Sequence, residues 1–221
     1  MPIDKWANPQ KMWDERFSQT ESVYGEAPNA FLEAQASRLK AGMMVLVPAD
    51  GYGRNGIWLA KQGLRVHTVD LSPVGVERAR KTAGVAGLEM TIELGDLANW
   101  DWPVGRFDAA ASIYLHLPDE LRPKVHASIL RAVKPGGLVI LEAFTPAQLL
   151  HSSGGPKHVD LLYTADMLRR DFAPAEALLL EEKEVRIEEG PMHSGPAAVV
   201  RAVFRKNDSC SHTRNSPSLQ G

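Results

Sequence analysis

The sequence predicts an α/β fold: a doubly wound, mostly parallel seven-stranded sheet with helices on both faces, ended by a C-terminal antiparallel hairpin and preceded by an N-terminal helical covering arm. Three observations predict it. Short apolar runs alternate with helix-periodic segments from Met43 to Phe144. The strand runs are almost continuously apolar, as in parallel strands covered on both faces. The last two strand-like runs are joined only by the loop Glu188 to Pro196. That loop is too short for a helical crossover, so the pair is antiparallel.

In chain order, Met43 to Val47 is the first strand, ended by Pro48. Arg54 to Gln62 is a helix with Ile57, Leu59 and Ala60 facing inward, stopped by Gly63. Arg65 to Val69 is a β-branched strand ending at Asp70. Ser72 caps, and Pro73 opens, a helix reaching about Ala86. Leu88 to Leu94 and Phe107 to Ile113 are the third and fourth strands. Asp119 to Val133 is helical and closes before Pro135-Gly136-Gly137, and Leu138 to Phe144 is the fifth strand. A Gly/Ser/Pro-rich loop (Pro146 to Lys157), a short helix (Thr164 to Asp171) and strands Leu178 to Ile187 and Ala197 to Arg205 complete the fold.

Bulk properties narrow the function. The 221 residues are 44% hydrophobic and 24% charged, enough apolar material for a core. A net charge of -2 gives no nucleic-acid footprint. The single cysteine, Cys210, excludes a disulfide scaffold and a cysteine-built metal site, and no metal is expected. No run approaches the roughly 18 apolar residues of a membrane helix, and the N-terminus is unlike a signal peptide. The expectation is a cytoplasmic monomer or homodimer acting on a small molecule. Residues 1–206 are read as one domain, with 1–40 its arm and first helix. Residues 207–221 are read as a disordered polar tail, because one Leu cannot offset the ordering entropy.

Chemistry concentrates at the strand ends. Gly51-Tyr52-Gly53-Arg54-Asn55-Gly56 reads G-x-G-x-x-G between a strand and a helix, with Asp70 ending the next strand. Glycines admit a ligand close to the backbone, and a strand-end carboxylate accepts from a ribose diol. This pattern fits a nicotinamide dinucleotide or S-adenosylmethionine. Gly95-Asp96-Leu97 follows the third strand, where Asp96 is placed to accept from an adenine amino group. Ile113-Tyr114-Leu115-His116 ends the fourth strand with aromatic and imidazole groups.

With Trp13-Asp14-Glu15-Arg16-Phe17, Tyr24-Gly25, Pro28-Asn29 and Lys134-Pro135-Gly136-Gly137, these segments resemble the Rossmann-like class I S-adenosylmethionine-dependent methyltransferases. The likeness is to the tellurite-resistance and thiopurine methyltransferase-like branch and spans Trp13 to Arg205. It implies S-adenosylmethionine as cofactor and methyl transfer to a small-molecule acceptor, a thiol or chalcogen anion among them. The cofactor-binding set it implies is Arg16, Ala49, Asp50, Gly51, Gly53, Asn55, Asp70, Leu71, Asp96, Leu97, Ile113 and Tyr114, with Tyr24, His116 and His193 at the methyl-transfer end. The chain departs from the family's first motif: Val47 stands for the strand-end acid and Ala49 for the first glycine, with Asp50 the available replacement for the acid. The competing readings are an NAD(P)-dependent oxidoreductase and a non-catalytic S-adenosylmethionine-binding module.

Further expectations concern the surroundings. Glu142 is read as an internal salt-bridge partner. Asp160, Tyr163 and Gly154-Gly155-Pro156 are read as a substrate lid. Trp58 is expected on the sheet, Trp100 and Trp102 in edge packing, and Met43 and Met44 as core filler.

Overall fold

The computed structural model describes residues 8–19 and 24–208. Trp6, Cys210 and the expected polar tail from residue 209 onward lie outside the described residues. The seven strands are β1 (Met44–Pro48), β2 (Arg65–Asp70), β3 (Thr91–Leu94), β4 (Phe107–Ile113), β5 (Val133–Phe144), β6 (Ala175–Glu188) and β7 (Ser194–Lys206). They lie in the order β3-β2-β1-β4-β5-β7-β6. The first five run parallel, and β7 is antiparallel to both β5 and β6. The helices are α1 (Pro9–Gln19), α2 (Ala30–Ala34), α3 (Arg54–Lys61), α4 (Pro73–Val85), α5 (Arg122–Ala132) and α6 (Ala165–Asp171).

Side-chain alternation along the strands feeds two cores. Leu46, Ala110, Val139 and Leu141 pack on one face with Val125 and Ile129 of α5 and Leu168 of α6. Val45, Val47, Ala109 and Ile140 pack on the other with Phe31 and Leu32 of α2 and Leu59 of α3. Trp58 joins this second core and Trp100 and Trp102 flank the first, the two indoles meeting edge to face at 4.9 Å.

Several boundaries move for local reasons. β3 starts at Thr91 rather than Leu88, because Gly87 turns left-handed (φ 65°) and the Leu88 amide closes α4 by donating to Ala83 O at 2.9 Å. α5 starts at Arg122, since Pro118 to Leu121 form a turn in which Leu121 N reaches Pro118 O (2.9 Å). β5 starts early: Val133 pairs with Phe107, then the register jumps to Ala109 opposite Leu138. Lys134-Pro135-Gly136-Gly137 form that bulge, fastened by Lys134 Nζ to Asp108 Oδ1 at 2.6 Å. The hairpin strands are longer than expected, leaving only Glu189 to His193 as the turn.

Candidate functional site

The parallel strands aim their carboxyl ends at one edge, and the loop after β1 is built for close approach there. Ala49 (φ 56°), Gly51 (φ 59°) and Gly53 (φ 89°) are all left-handed. A left-handed alanine is strained by about 1–2 kcal/mol, at the position where the resembled motif carries glycine. Asp70, at the end of β2, ties the loop to the next crossover: Oδ2 accepts from Gly51 N (2.7 Å) and Oδ1 from Ser72 N (2.8 Å). Burial raises its pKa, against the pull of those amides. Asp50 turns inward. Its Oδ2 accepts from Gly56 N in the first turn of α3 (2.8 Å), and its Oδ1 is buried with no partner among the described residues. Burial pushes the Asp50 carboxyl up to about 7. Val47, in the place of the strand-end acid, is ordinary core at 1% exposure.

The other expected cofactor residues spread along the same edge. Leu71 is half-buried and Leu97 and Ile113 are buried. Asp96 is exposed and closes a turn through Ala98 N (2.9 Å) and Asn99 Nδ2 (3.0 Å). The Asn55 side chain accepts from Asn29 N at 2.9 Å, so it faces the arm.

The arm covers the glycine loop. Asp14 accepts from Ser72 Oγ (2.5 Å), and Arg78 donates to Phe17 O (2.8 Å). The Phe17 ring lies against Gly51, where an added Cβ would meet it at 2.8 Å, and stacks on Trp13 (5.5 Å). Farther on, the Tyr52 hydroxyl accepts from Tyr24 N (2.9 Å) and donates to Gly25 O (2.7 Å). Arg16 Nη1 donates to Tyr24 Oη at 2.8 Å.

At the ends of β4 and β5 the rings converge. His193 lies 4.5 Å from Tyr24, 4.8 Å from Tyr114 and 5.3 Å from Phe144, centroid to centroid. Its Nδ1 is buried without a partner among the described residues, and burial, then the Arg54 charge, pushes its pKa down to about 3. Tyr114 is itself left-handed (φ 52°), stacks on Phe144 at 4.6 Å and donates its hydroxyl to Glu142 (2.9 Å).

Two expectations fail on geometry. His116 has no free lone pair for proton transfer: Nδ1 meets Leu161 O at 2.6 Å and Nε2 accepts from Phe144 N at 3.3 Å. Burial lowers its pKa to about 4, so it is a neutral structural imidazole. Tyr163 is fully buried, with its oxygen accepting from Leu117 N (2.7 Å), so it is core and not lid.

A buried polar network escaped the sequence reading, apart from Glu142. That residue is fully buried and pairs with Arg201, as expected of a salt-bridge partner. Asn29 Nδ2 donates to both Glu142 Oε1 (2.7 Å) and Glu189 Oε1 (2.9 Å), while Glu189 Oε2 pairs with Arg54 Nη2 (2.5 Å). Arg54 also donates to Ala27 O at 3.1 Å. These groups fasten the arm, α3, β5, β7 and the hairpin turn together. Besides Glu142, only Pro28-Asn29 gave a signal, through the family resemblance.

Comparison with known proteins agrees with this architecture. Residues 45–137 match the family described as "Methyltransferase domain". A 2-heptyl-1-hydroxyquinolin-4(1H)-one methyltransferase of Mycobacteroides abscessus is 29% identical over 118 residues, 52% of each chain. The match thus spans about half the length of that curated relative. Among solved structures, TehB from Haemophilus influenzae superposes with a TM-score of 0.68 at 17% identity, over 90% of this chain and 67% of that one. The [4+2]-cyclase SpnF superposes with a TM-score of 0.69 at 18% identity, over 90% of this chain and 95% of that one. A fold shared with a cyclase leaves the reaction to be argued from the site. The antiparallel β7 between β5 and β6 also departs from the strand order 3-2-1-4-5-6 of nicotinamide-binding sheets. Residues 45–137 thus match a methyltransferase domain, and the chain as a whole shares the fold of the solved structures it superposes on.

Proposed function

We propose that this protein transfers a methyl group from S-adenosylmethionine to a small-molecule acceptor, and that the nucleoside lies on Asp70 and the Ala49–Gly53 loop. The observation that carries this reading is the Asp70 carboxylate, at the carboxyl end of β2 and 2.7 Å from Gly51 N. A carboxylate offers about four lone-pair sites, so two amide donors leave room for a ribose diol. The cradle also suits a flat ring, since the Phe17 ring already packs on Gly51. Asp50 Oδ1, buried without a partner, is the anion for the cofactor's ammonium, the role left open at Val47. Arg16 is the partner for the cofactor carboxylate, being bonded, among the described residues, to a phenol rather than to an acid.

When bound, the cofactor supplies an electrophilic methyl on a sulfonium. The chain's own residues position and exclude water. Glu142 takes the Tyr114 hydroxyl proton into a hydrogen bond, fixing that ring against Phe144. Burial, then the Glu142 charge, holds the Tyr114 pKa well above its usual value, so the phenol stays neutral. Tyr24 closes the transfer end from the arm, held by Tyr52 and Arg16. The relative that methylates a hydroxyquinolone supports a small organic acceptor.

Titration calorimetry with S-adenosylmethionine and with NADH, followed by transfer of tritiated methyl into a panel of thiols, chalcogen anions and hydroxyaromatics, tests the proposal. Cofactor binding with label in at least one product is the expected result. Binding of NADH alone overturns it, and S-adenosylmethionine binding with no labelled product across the panel favours a non-catalytic module.

A further inference from the structure

The acceptor is nameable by class, on the reading that methyl transfer occurs at this edge. His193 is 7% exposed and carries a buried Nδ1 that nothing among the described residues satisfies. Buried polar atoms are almost always hydrogen-bonded, and an orphan asks for a ligand. The ring is held firmly in place. Its backbone is fixed by His193 N to Gly190 O (3.0 Å) and Glu189 N to His193 O (2.7 Å). Its edge packs on Gly154, where an added Cβ would meet His193 Cδ2 at 2.5 Å. Three aromatic rings, Tyr24, Tyr114 and Phe144, surround it.

We propose that His193 Nδ1 receives the hydroxyl of a flat, hydroxylated aromatic acceptor lodged among Tyr24, Tyr114 and Phe144, and takes its proton as the methyl arrives. Three features favour this class over a bare thiolate or chalcogen anion. The walls are rings, which match a flat apolar body. Of the nearby cations, Arg54 is paired with Glu189 and Arg201 with Glu142, and Arg16, bonded to Tyr24, is the one assigned to the cofactor carboxylate, so an acceptor anion is left without a partner of its own, which is costly in such surroundings. Exposed apolar residues are at hand: Met192, next to His193 in sequence, and Leu150 in the turn after β5. Gln148 of that turn joins it to the Ser153–Gly154 loop through bonds of 3.0 and 3.1 Å.

The step balances. The acceptor oxygen gains the methyl and gives its proton to Nδ1. The electron pair of the broken sulfur–carbon bond stays on sulfur. The positive charge therefore moves from sulfonium to imidazole, which then releases the proton to water. An imidazole held near pKa 3 is a weak base, which selects acidic phenolic or N-hydroxyl groups over aliphatic alcohols.

The test uses the full chain loaded with S-adenosylhomocysteine, with 2-naphthol, 8-hydroxyquinoline and the proton-less 2-methoxynaphthalene as probes in calorimetry. In His193→Gln and His193→Ala the two hydroxyl probes should bind about tenfold more weakly, and the methyl ether unchanged. With S-adenosylmethionine, the wild type should methylate the hydroxyl probes, and thiophenolate no better. Both variants should lose the hydroxyl products without the optimum moving toward pH 7. Failure of the wild type to bind either hydroxyl probe, equal losses for hydroxyl and ether, or methylation of thiophenolate alone would each overturn the proposal while leaving methyl transfer standing. Absence of S-adenosylmethionine binding overturns the methyl-transfer reading itself.

Discussion

The two halves of the sheet build their ends from different materials. On the β1–β3 side the edge is made of backbone: a left-handed loop, helix α3 entered through Gly53, and one carboxylate, Asp70, gripping two amides. On the β4–β7 side it is made of side chains that are distant in sequence. Asn29 reaches Glu142 and Glu189, more than a hundred residues away. A backbone site needs only local conformation, so it tolerates change outside its glycines. A side-chain site assembled from five segments is an all-or-none construction, because removing one member strands the others in a low-dielectric interior.

The largest expected effect tests that contrast directly. Glu189→Ala leaves Arg54, 9% exposed, without its ion pair and Asn29 without one acceptor. Breaking such a buried pair costs about 3–5 kcal/mol. Chemical denaturation should show a loss of that order, and a loss under 1 kcal/mol would mean the network is not cooperative. On the backbone side, Asp70→Ala should weaken S-adenosylmethionine binding by roughly 1.5–3 kcal/mol in calorimetry, with a smaller change in stability. Unchanged cofactor affinity would remove Asp70 from the site.

Asp50 sharpens the comparison through pH. Its carboxyl titrates near 7 in the free protein, so below pH 7 it is protonated and must ionise to hold an ammonium. Cofactor affinity should therefore rise with pH up to about 7 and then level, falling by up to about tenfold per pH unit on the acid side. Asp50→Asn should flatten that dependence, and a flat wild-type profile would assign Asp50 to capping α3 alone. The smallest effect belongs to Ala49→Gly. Relieving a left-handed alanine should raise stability by about 1 kcal/mol, less the entropy of an added glycine. A destabilised variant would show that the alanine methyl packs more than its backbone strains.

The same division explains what the sequence revealed. The loop, Asp70 and the parallel order of the first five strands were readable because glycine, strand-end acid and hydrophobic period are local signals. The hairpin was readable from the shortness of its loop. Asn29, Arg54 and Glu189 carried no local signal of pairing: Arg54 looks like any helix-opening residue, and its partner lies in the hairpin turn. His116 misled for a related reason. A strand-end histidine looks reactive until the chain folds two backbone groups, Leu161 O and Phe144 N, onto its nitrogens.

The stacking of Trp13 on Phe17 has a practical consequence. A ligand settling above Gly51 has to displace or restack Phe17, and the neighbouring indole then changes its surroundings. Trp58, Trp100 and Trp102 pack against the two cores of the sheet. The protein thus carries an optical gauge of occupancy, and stopped-flow emission would time the filling of the cradle without any label.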